Sequence, residues 1–192
     1  MRRARGLRKS RGQSLVEFAL IVPILMTLAM TIAEFGVAFG TNMTIMQATK
    51  EGARVGAVLG DGSSPLGSCT GLAGAASVDP QIIGAVQRAI ESSGSGIVLA
   101  NVDWIKIYKY GNSASENTWT PGDGGTKCGV TMHFIEGSHP WLPSDRTTSP
   151  AVSIGVKIQY HYRLFTPLAA ISGMIGFSEI LMTDSTVMAI EP

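Results

Sequence analysis

Acidic residues are missing from the start of this chain, and charge of either sign is scarce in the stretch that follows. None of the 14 Asp and Glu residues lies in residues 1–12, although six of the 15 Lys and Arg residues do. Between Leu15 and Phe39 only Glu17 and Glu34 are ionisable. Over the whole chain 15% of residues are charged, against about 25% in an ordinary soluble protein. This pattern excludes an N-terminal region that is uniformly exposed to water.

This apolar stretch is long enough to cross a membrane once. A bilayer core of about 30 Å needs ~20 helical residues, and no second stretch comes near the length of Leu15–Phe39. A conventional secretory signal has a shorter apolar region, about 7–15 residues, followed by a small-x-small cleavage site. Basic residues beside a spanning helix favour the cytoplasmic side. We therefore expect a single pass through the inner (cytoplasmic) membrane, with the N-terminus inside and the rest extracytoplasmic.

Catalytic and nucleic-acid-binding patterns are also missing. The basic head carries no aromatic residue for base stacking, so we expect it to flank the membrane and not to bind nucleic acid. The three histidines, His133, His139 and His161, are scattered along the chain, which predicts structural or solvated roles. We expect no metal, no cofactor and no enzymatic activity. Trp119 and Trp141 leave two alternatives open, an adhesive surface or local packing.

Only two cysteines are present, Cys69 and Cys128, and both fall in the part expected outside the membrane. An even pair in an oxidising compartment predicts one disulfide. Two free thiols are the alternative. A zinc site is not expected, because each cysteine stands alone.

The first helix has a start signal and a row of small residues. Ser14 and Glu17 fit a capping box, and Pro23 predicts a bend. Small residues at every fourth position predict a groove for close helix packing, although the last glycines are also consistent with a fraying helix end. The row consists of Gly36, Gly40, Thr44, Ala48, Gly52, Gly56 and Gly60.

The remainder predicts one further helix and several strands. Asp79-Pro80 is a good N-cap and first-turn pair for a helix that Gly94 can end. The clearest strand has alternating apolar and polar residues from Val152 to Arg163. Other expected elements are strands at 102–110, 130–136 and 177–190, loops at 111–129 and 137–150, and a short apolar helix at 166–174.

One ordered set of motifs resembles a known family. The segment Arg11-Gly-Gln-Ser-Leu-Val-Glu-Phe-Ala-Leu-Ile-Val-Pro23 strongly resembles the start of TadE-like proteins, which are minor pilins or pseudopilins of the tight-adherence (Tad, or Flp) pilus system. Glu34-Phe35-Gly36 and Lys50-Glu51-Gly52-Ala53-Arg54 match later parts of the same pattern. The resemblance covers about the first third of the chain.

The resemblance implies roles for individual residues. A prepilin peptidase would cut after Gly12, Gln13 would become the new N-terminus, and Glu17 would pair with the α-amino group of a neighbouring subunit. The alternative for Glu17 is the capping role alone. Glu34 lies about 25 Å beyond Glu17 along a helix, where it would snorkel at the outer interface or meet a cation on another subunit. Gly36 and Gly40 would contact neighbouring helices during assembly.

The combined expectation is an α+β, pilin-like protein with a long N-terminal transmembrane α-helix and a small antiparallel β-sheet domain. Its parts would be a leader (1–12), an assembly helix (13–59) and an extracytoplasmic domain (60–192). The resemblance implies a minor pilin that initiates, caps or adheres through the pilus and reaches the cell surface. Implied partners are TadE/TadF-like minor pilins, a TadG-like protein, the major Flp pilin, the prepilin peptidase and the inner-membrane assembly platform. The alternatives are a permanently signal-anchored binding or sensory module and, less in keeping with the sequence, a periplasmic enzyme.

Overall fold

The computed structural model describes residues 12–63, 65–92, 97–112, 114–146, 152–165 and 179–190. The chain forms two compact units. The first comprises Met1–Gly36 and Leu164–Ser178, and the second comprises Val37–Arg163 and Glu179–Pro192. The predicted short helix at 166–174 lies outside the described residues.

Helix α1 runs from Gln13 to Leu59, a length of 47 residues. It begins one residue before Ser14, so Ser14 lies inside the first turn and not at the predicted N-cap. The helix continues through Pro23 without interruption. One turn later, the Thr27 hydroxyl donates to the Pro23 carbonyl oxygen at 2.8 Å. At the other end Gly60 has a positive φ of 53°, a conformation that ends helices and that glycine adopts at little cost.

The second unit contains an antiparallel five-stranded sheet in the order β5-β2-β1-β6-β7, which confirms the predicted α+β fold. A two-stranded ribbon, β3-β4, lies outside this sheet. The strands are β1 (Val102–Lys109), β2 (Glu116–Pro121), β3 (Thr126–Lys127), β4 (Val130–Thr131), β5 (Phe134–Glu136), β6 (Ser153–Arg163) and β7 (Glu179–Ala189). Helix α2 spans Ala75–Ser92.

The alternating strand is confirmed, and it supplies the centre of the core. Its apolar side chains are buried at Val152, Ile154, Val156, Ile158, Tyr160 and Tyr162. Helix α1 approaches α2 and β6 closely at two of its glycines. A Cβ at Gly52 would lie 2.5 Å from Val86 and 3.3 Å from Val156, and one at Gly56 would lie 2.8 Å from Ile154. The later glycines of α1 are therefore packing positions and not a fraying end.

Two expectations about local structure were wrong. Helix α2 begins at Ala75, so Asp79 lies in its second turn and is not an N-cap. The region expected to be a loop at 111–129 contains β2, whose inward side chains Asn117 and Trp119 are fully buried. Strand β2 contains the strand-favouring residues Thr118, Trp119 and Thr120, but turn-forming residues on both sides of it hide this signal in the sequence. Pairing with β1 and β5 completes the strand.

The predicted strand at 130–136 is divided in two. Lys127 and Val130 pair across a two-residue turn in which Cys128 and Gly129 have φ values of 54° and 72°. Positive φ at both central residues is typical of a tight hairpin turn. The chain then leaves this ribbon and joins the main sheet as β5 at Phe134.

Candidate functional site

The first turns of α1 carry an uncovered apolar surface. Each residue from Gly12 to Ala29 is exposed except Val22, which is half-buried. Leu15 is 69% exposed, Phe18 67% and Ile24 68%. Helix α1 is the one helix among the described residues that is long and apolar enough to cross a membrane. A water-soluble protein rarely exposes so large an apolar surface without a partner, and lipid is a partner of matching chemistry.

The residues of the predicted cleavage junction lie at the start of this helix. Gly12 directly precedes α1, and its carbonyl oxygen accepts a hydrogen bond from the Val16 amide at 3.2 Å. Glu17 Oε1 accepts one from the Gln13 side-chain amide at 3.1 Å. The structure thus brings Gln13 and Glu17 together within one helical turn. The basic head, residues 1–11, lies outside the described residues.

The Glu34 side chain is buried against another part of the chain. The residue is 5% exposed, and its Oε1 accepts a hydrogen bond from the backbone N–H of Phe165 at 3.2 Å. Both residues belong to the first unit. A buried carboxylate needs hydrogen-bond donors, and the backbone beyond β6 supplies one. No sequence pattern indicates this contact, because 131 positions separate the two residues.

The row of small residues divides into two parts. Thr44, Ala48, Gly52 and Gly56 are buried within the second unit. Gly36 and Gly40 are exposed, and a Cβ at either would meet nothing within 4 Å. An assembly contact at Gly36 and Gly40 therefore remains a prediction.

Gly52→Ala and Gly40→Ala make the same chemical change in two different environments. We expect Gly52→Ala to destabilise the protein by about 1–3 kcal/mol, because the new Cβ overlaps Val86 in a packed core. We expect Gly40→Ala to stabilise the helix by up to about 1 kcal/mol through its higher helix propensity. Denaturation of the detergent-solubilised variants measures both. Equal effects would contradict the assigned packing of Gly52.

A buried polar cluster joins α2 to the loop before β6. The Arg146 guanidinium and the Asp79 carboxylate form a two-point ion pair, with Nη2–Oδ2 at 2.9 Å. The Asn117 side-chain amide also donates to Asp79 Oδ2, at 2.9 Å, and to the Trp141 carbonyl oxygen, at 2.6 Å. His139 Nε2 lies 3.2 Å from Asp79 Oδ2. The cluster fixes the loop that the sequence had marked only as proline-containing.

The disulfide predicted from the two cysteines is present. Cys69 and Cys128 are bonded across a sequence separation of 59, which ties the segment after α1 to the β3–β4 turn. The closed loop contains α2, β1 and β2. It thus encloses Asp79 and Asn117 but not Arg146.

The remaining polar and aromatic candidates have structural surroundings. His161 Nδ1 lies 2.6 Å from Asp103, and His139 Nδ1 lies 2.8 Å from Glu136. Trp119 and Trp141 are 0% and 3% exposed, which favours local packing over an adhesive surface. In the part of the chain that the structure describes, no group of three or more His, Cys, Asp or Glu residues is placed to hold a metal ion.

An exposed apolar N-terminal helix followed by a small antiparallel sheet defines a class of α+β protein whose helix is consistent with membrane anchoring. Within that class, residues 12–54 match the model of the TadE-like protein family, which confirms the resemblance over that segment. The match links the chain to Tad pilus systems and to a family that is structural and not enzymatic. The chain matches no curated protein and no solved structure.

The family match coincides with the features of the helix. It begins at Gly12, the predicted cleavage residue, and ends at Arg54, whose Nη2 lies 2.6 Å from Glu51 Oε1. It therefore covers the exposed apolar surface, Glu17, Glu34 and the small residues up to Gly52. The sheet and the Asp79–Arg146 cluster lie outside it.

Proposed function

We propose that this protein is a minor pilin, or pseudopilin, of a Tad pilus, cut by a prepilin peptidase after Gly12 and held in the inner membrane by α1. The observation that carries the proposal is the position of the uncovered apolar helix, which starts immediately after Gly12 and within the TadE-like segment. The same helix would lie in the membrane before assembly and contact neighbouring subunits afterwards.

We propose that Glu17 favours the transfer of the subunit from the membrane into the pilus. A carboxylate close to hydrocarbon is costly unless it has a partner, and in the isolated chain the Gln13 side chain supplies one hydrogen bond to it. Cleavage after Gly12 creates a positive α-amino group on each subunit. The amino group of a neighbouring subunit then attracts Glu17 more strongly than a neutral amide does.

Gly36 and Gly40 are the proposed helix contacts in the assembled pilus. Both are exposed with open space around them, and small residues four positions apart let two helices approach closely. The subunits in contact would be TadE/TadF-like minor pilins, a TadG-like protein or the major Flp pilin. The protein would help initiate, cap or adhere through the pilus.

Mass spectrometry of the membrane-extracted protein tests the cleavage. We expect a mature chain that starts at Gln13, and we expect Gly12→Ala to leave residues 1–12 attached, because a side chain at the peptidase position obstructs binding. Gly40→Ala is the matched control and should be cut normally. An intact head on the unmodified chain, in cells with an active pilus system, would instead favour a permanently anchored binding or sensory module.

Glu17→Ala separates processing from assembly. We expect this variant to be cut normally but to appear in sheared pili at no more than about a tenth of the usual amount, equivalent to about 1.4 kcal/mol of lost pairing. Glu17→Gln, which keeps the shape and removes the charge, should show the same defect if the charge is what matters. Normal incorporation of both variants would refute the role assigned to Glu17.

A further inference from the structure

The chain returns to α1 where β6 ends. The backbone N–H of Phe165 donates to Glu34 Oε1 at 3.2 Å, and Glu34 is 5% exposed. Leu164, Phe165 and the first part of α1 belong to the same compact unit. The hydrogen bond therefore fixes the Phe165 backbone beside Glu34 on the helix.

The position of Glu34 along α1 corresponds to the outer boundary of a bilayer that the helix enters at Gln13. Glu34 lies 21 residues after Gln13, which is about 31 Å along a helix, and the hydrocarbon core is about 30 Å thick. If α1 crosses the membrane from Gln13, then Glu34 and Phe165 lie at the outer boundary of the hydrocarbon. This step rests on the membrane location contained in the proposed function.

The surface around this level is apolar and uncovered. Ile32 is 65% exposed, Phe35 67% and Phe165 62%. Phe165 thus extends the exposed apolar surface of α1 onto a second part of the chain. Continuity with the surface that the bilayer covers is the reason to expect lipid against Phe165 as well.

The charge pattern of the sequence agrees with this location. No charged residue occurs from Leu164 to Ser178. Arg163 and Glu179 flank this run, and they pair with each other, with Nε and Oε1 3.2 Å apart. Charges are thus found up to Arg163 and are absent at Leu164 and Phe165, as expected for residues at the edge of a membrane.

We infer that the protein contacts the outer leaflet of the membrane at a second place, Leu164 and Phe165, in addition to the spanning part of α1. Glu34 is the positioning residue for this contact, since its carboxylate holds the Phe165 backbone against the helix. Two lipid contacts restrict rotation of α1 about its own axis. A lone helix lacks this restraint.

Depth-dependent quenching of tryptophan fluorescence tests the inference. The full chain carrying Phe165→Trp is placed, at low protein-to-lipid ratio, in phosphatidylcholine vesicles whose acyl chains are brominated near the headgroup or near the bilayer centre. The fluorescence of the unmodified chain is subtracted, which leaves the signal of the tryptophan introduced at position 165. We expect the shallow bromines to quench this signal at least twofold more than the deep bromines do. The vesicles contain no other pilus protein, so quenching identifies lipid as the partner.

Leu25→Trp is the control for the spanning helix. Leu25 is 55% exposed and lies near the middle of the apolar stretch, so the deep bromines should quench this tryptophan most. Quenching of Leu25→Trp without quenching of Phe165→Trp would overturn the second contact and leave the membrane proposal intact. If neither is quenched, both proposals fail.

Two substitutions at Glu34 test the positioning role. In the Phe165→Trp chain, Glu34→Gln keeps a side-chain oxygen that can accept from the residue 165 backbone, and we expect quenching to be retained. Glu34→Ala removes the acceptor, and we expect the preference for shallow bromines to fall below twofold. Equal quenching in both variants would overturn the role of Glu34.

Discussion

Replacing Arg146 with alanine is expected to destabilise the protein by about 3–5 kcal/mol, the usual result of removing one partner from a buried ion pair. The Arg146 side chain is 0% exposed and that of Asp79 is 2% exposed. Without the guanidinium, the Asp79 carboxylate retains Asn117 and His139 as neighbours but loses the charge that faces it at two points. The guanidinium also lies 4.6 Å from the centre of the Trp141 ring, and that contact is lost as well.

Urea denaturation of the detergent-solubilised protein, followed by tryptophan fluorescence, measures this effect. Arg54→Ala is the matched control, because Arg54 pairs with Glu51 at 2.6 Å while its side chain is 61% exposed. Solvent-exposed pairs contribute little, so its midpoint should barely move. The double variant Asp79→Ala/Arg146→Ala should be less destabilised than the sum of the two single variants. Additive losses would contradict direct pairing.

The elements that the sequence predicted well are those with a strong local pattern. Alternation along Val152–Arg163 determines which face of β6 is buried. The length and polarity of the stretch from Leu15 likewise predict an apolar helix, irrespective of what surrounds it. The cysteine pair was correct for a different reason, because with only two cysteines a disulfide has one possible connectivity.

The predictions that were wrong concern features that depend on contacts between distant positions. Asp79 before Pro80 has the sequence of an N-cap, but the carboxylate is buried against Arg146, 67 positions away. Strand β2 is short and lies between turn-forming segments of the sequence, and pairing with β1 and β5 on either side completes it. Arg146 directly follows Ser144 and Asp145 in a proline-containing loop, and no local pattern assigns it a partner.

The candidate site on α1 likewise contains one part that the sequence predicts and one part that it does not. Gly12, Gln13 and Glu17 are neighbours in sequence, so their proximity follows from helix geometry once the helix start is recognised. The hydrogen bond from Phe165 to Glu34 joins parts of the chain that are 131 positions apart. Sequence alone therefore identified Glu34 as unusual, an ionisable residue in an apolar helix, but the three-dimensional structure was needed to identify its partner.

Removing the disulfide should destabilise the protein by about 4 kcal/mol. Cys69 and Cys128 close a loop with a sequence separation of 59, and in the chain-entropy model a crosslink of that length restricts the unfolded chain by this amount. The effect acts mainly on the unfolded state. We therefore expect the double variant Cys69→Ser/Cys128→Ser to retain the fold, with a lower denaturation midpoint.

Reductant provides the internal control for this prediction. Treating the unmodified protein with dithiothreitol should lower its midpoint to that of the double variant, and the double variant itself should not respond. Labelling with a thiol-specific reagent under denaturing conditions should modify both cysteines only after reduction. Labelling of the exported protein without reductant would show that the thiols are free in the cell. An unchanged midpoint after complete reduction would show instead that the bond forms but does not stabilise the domain.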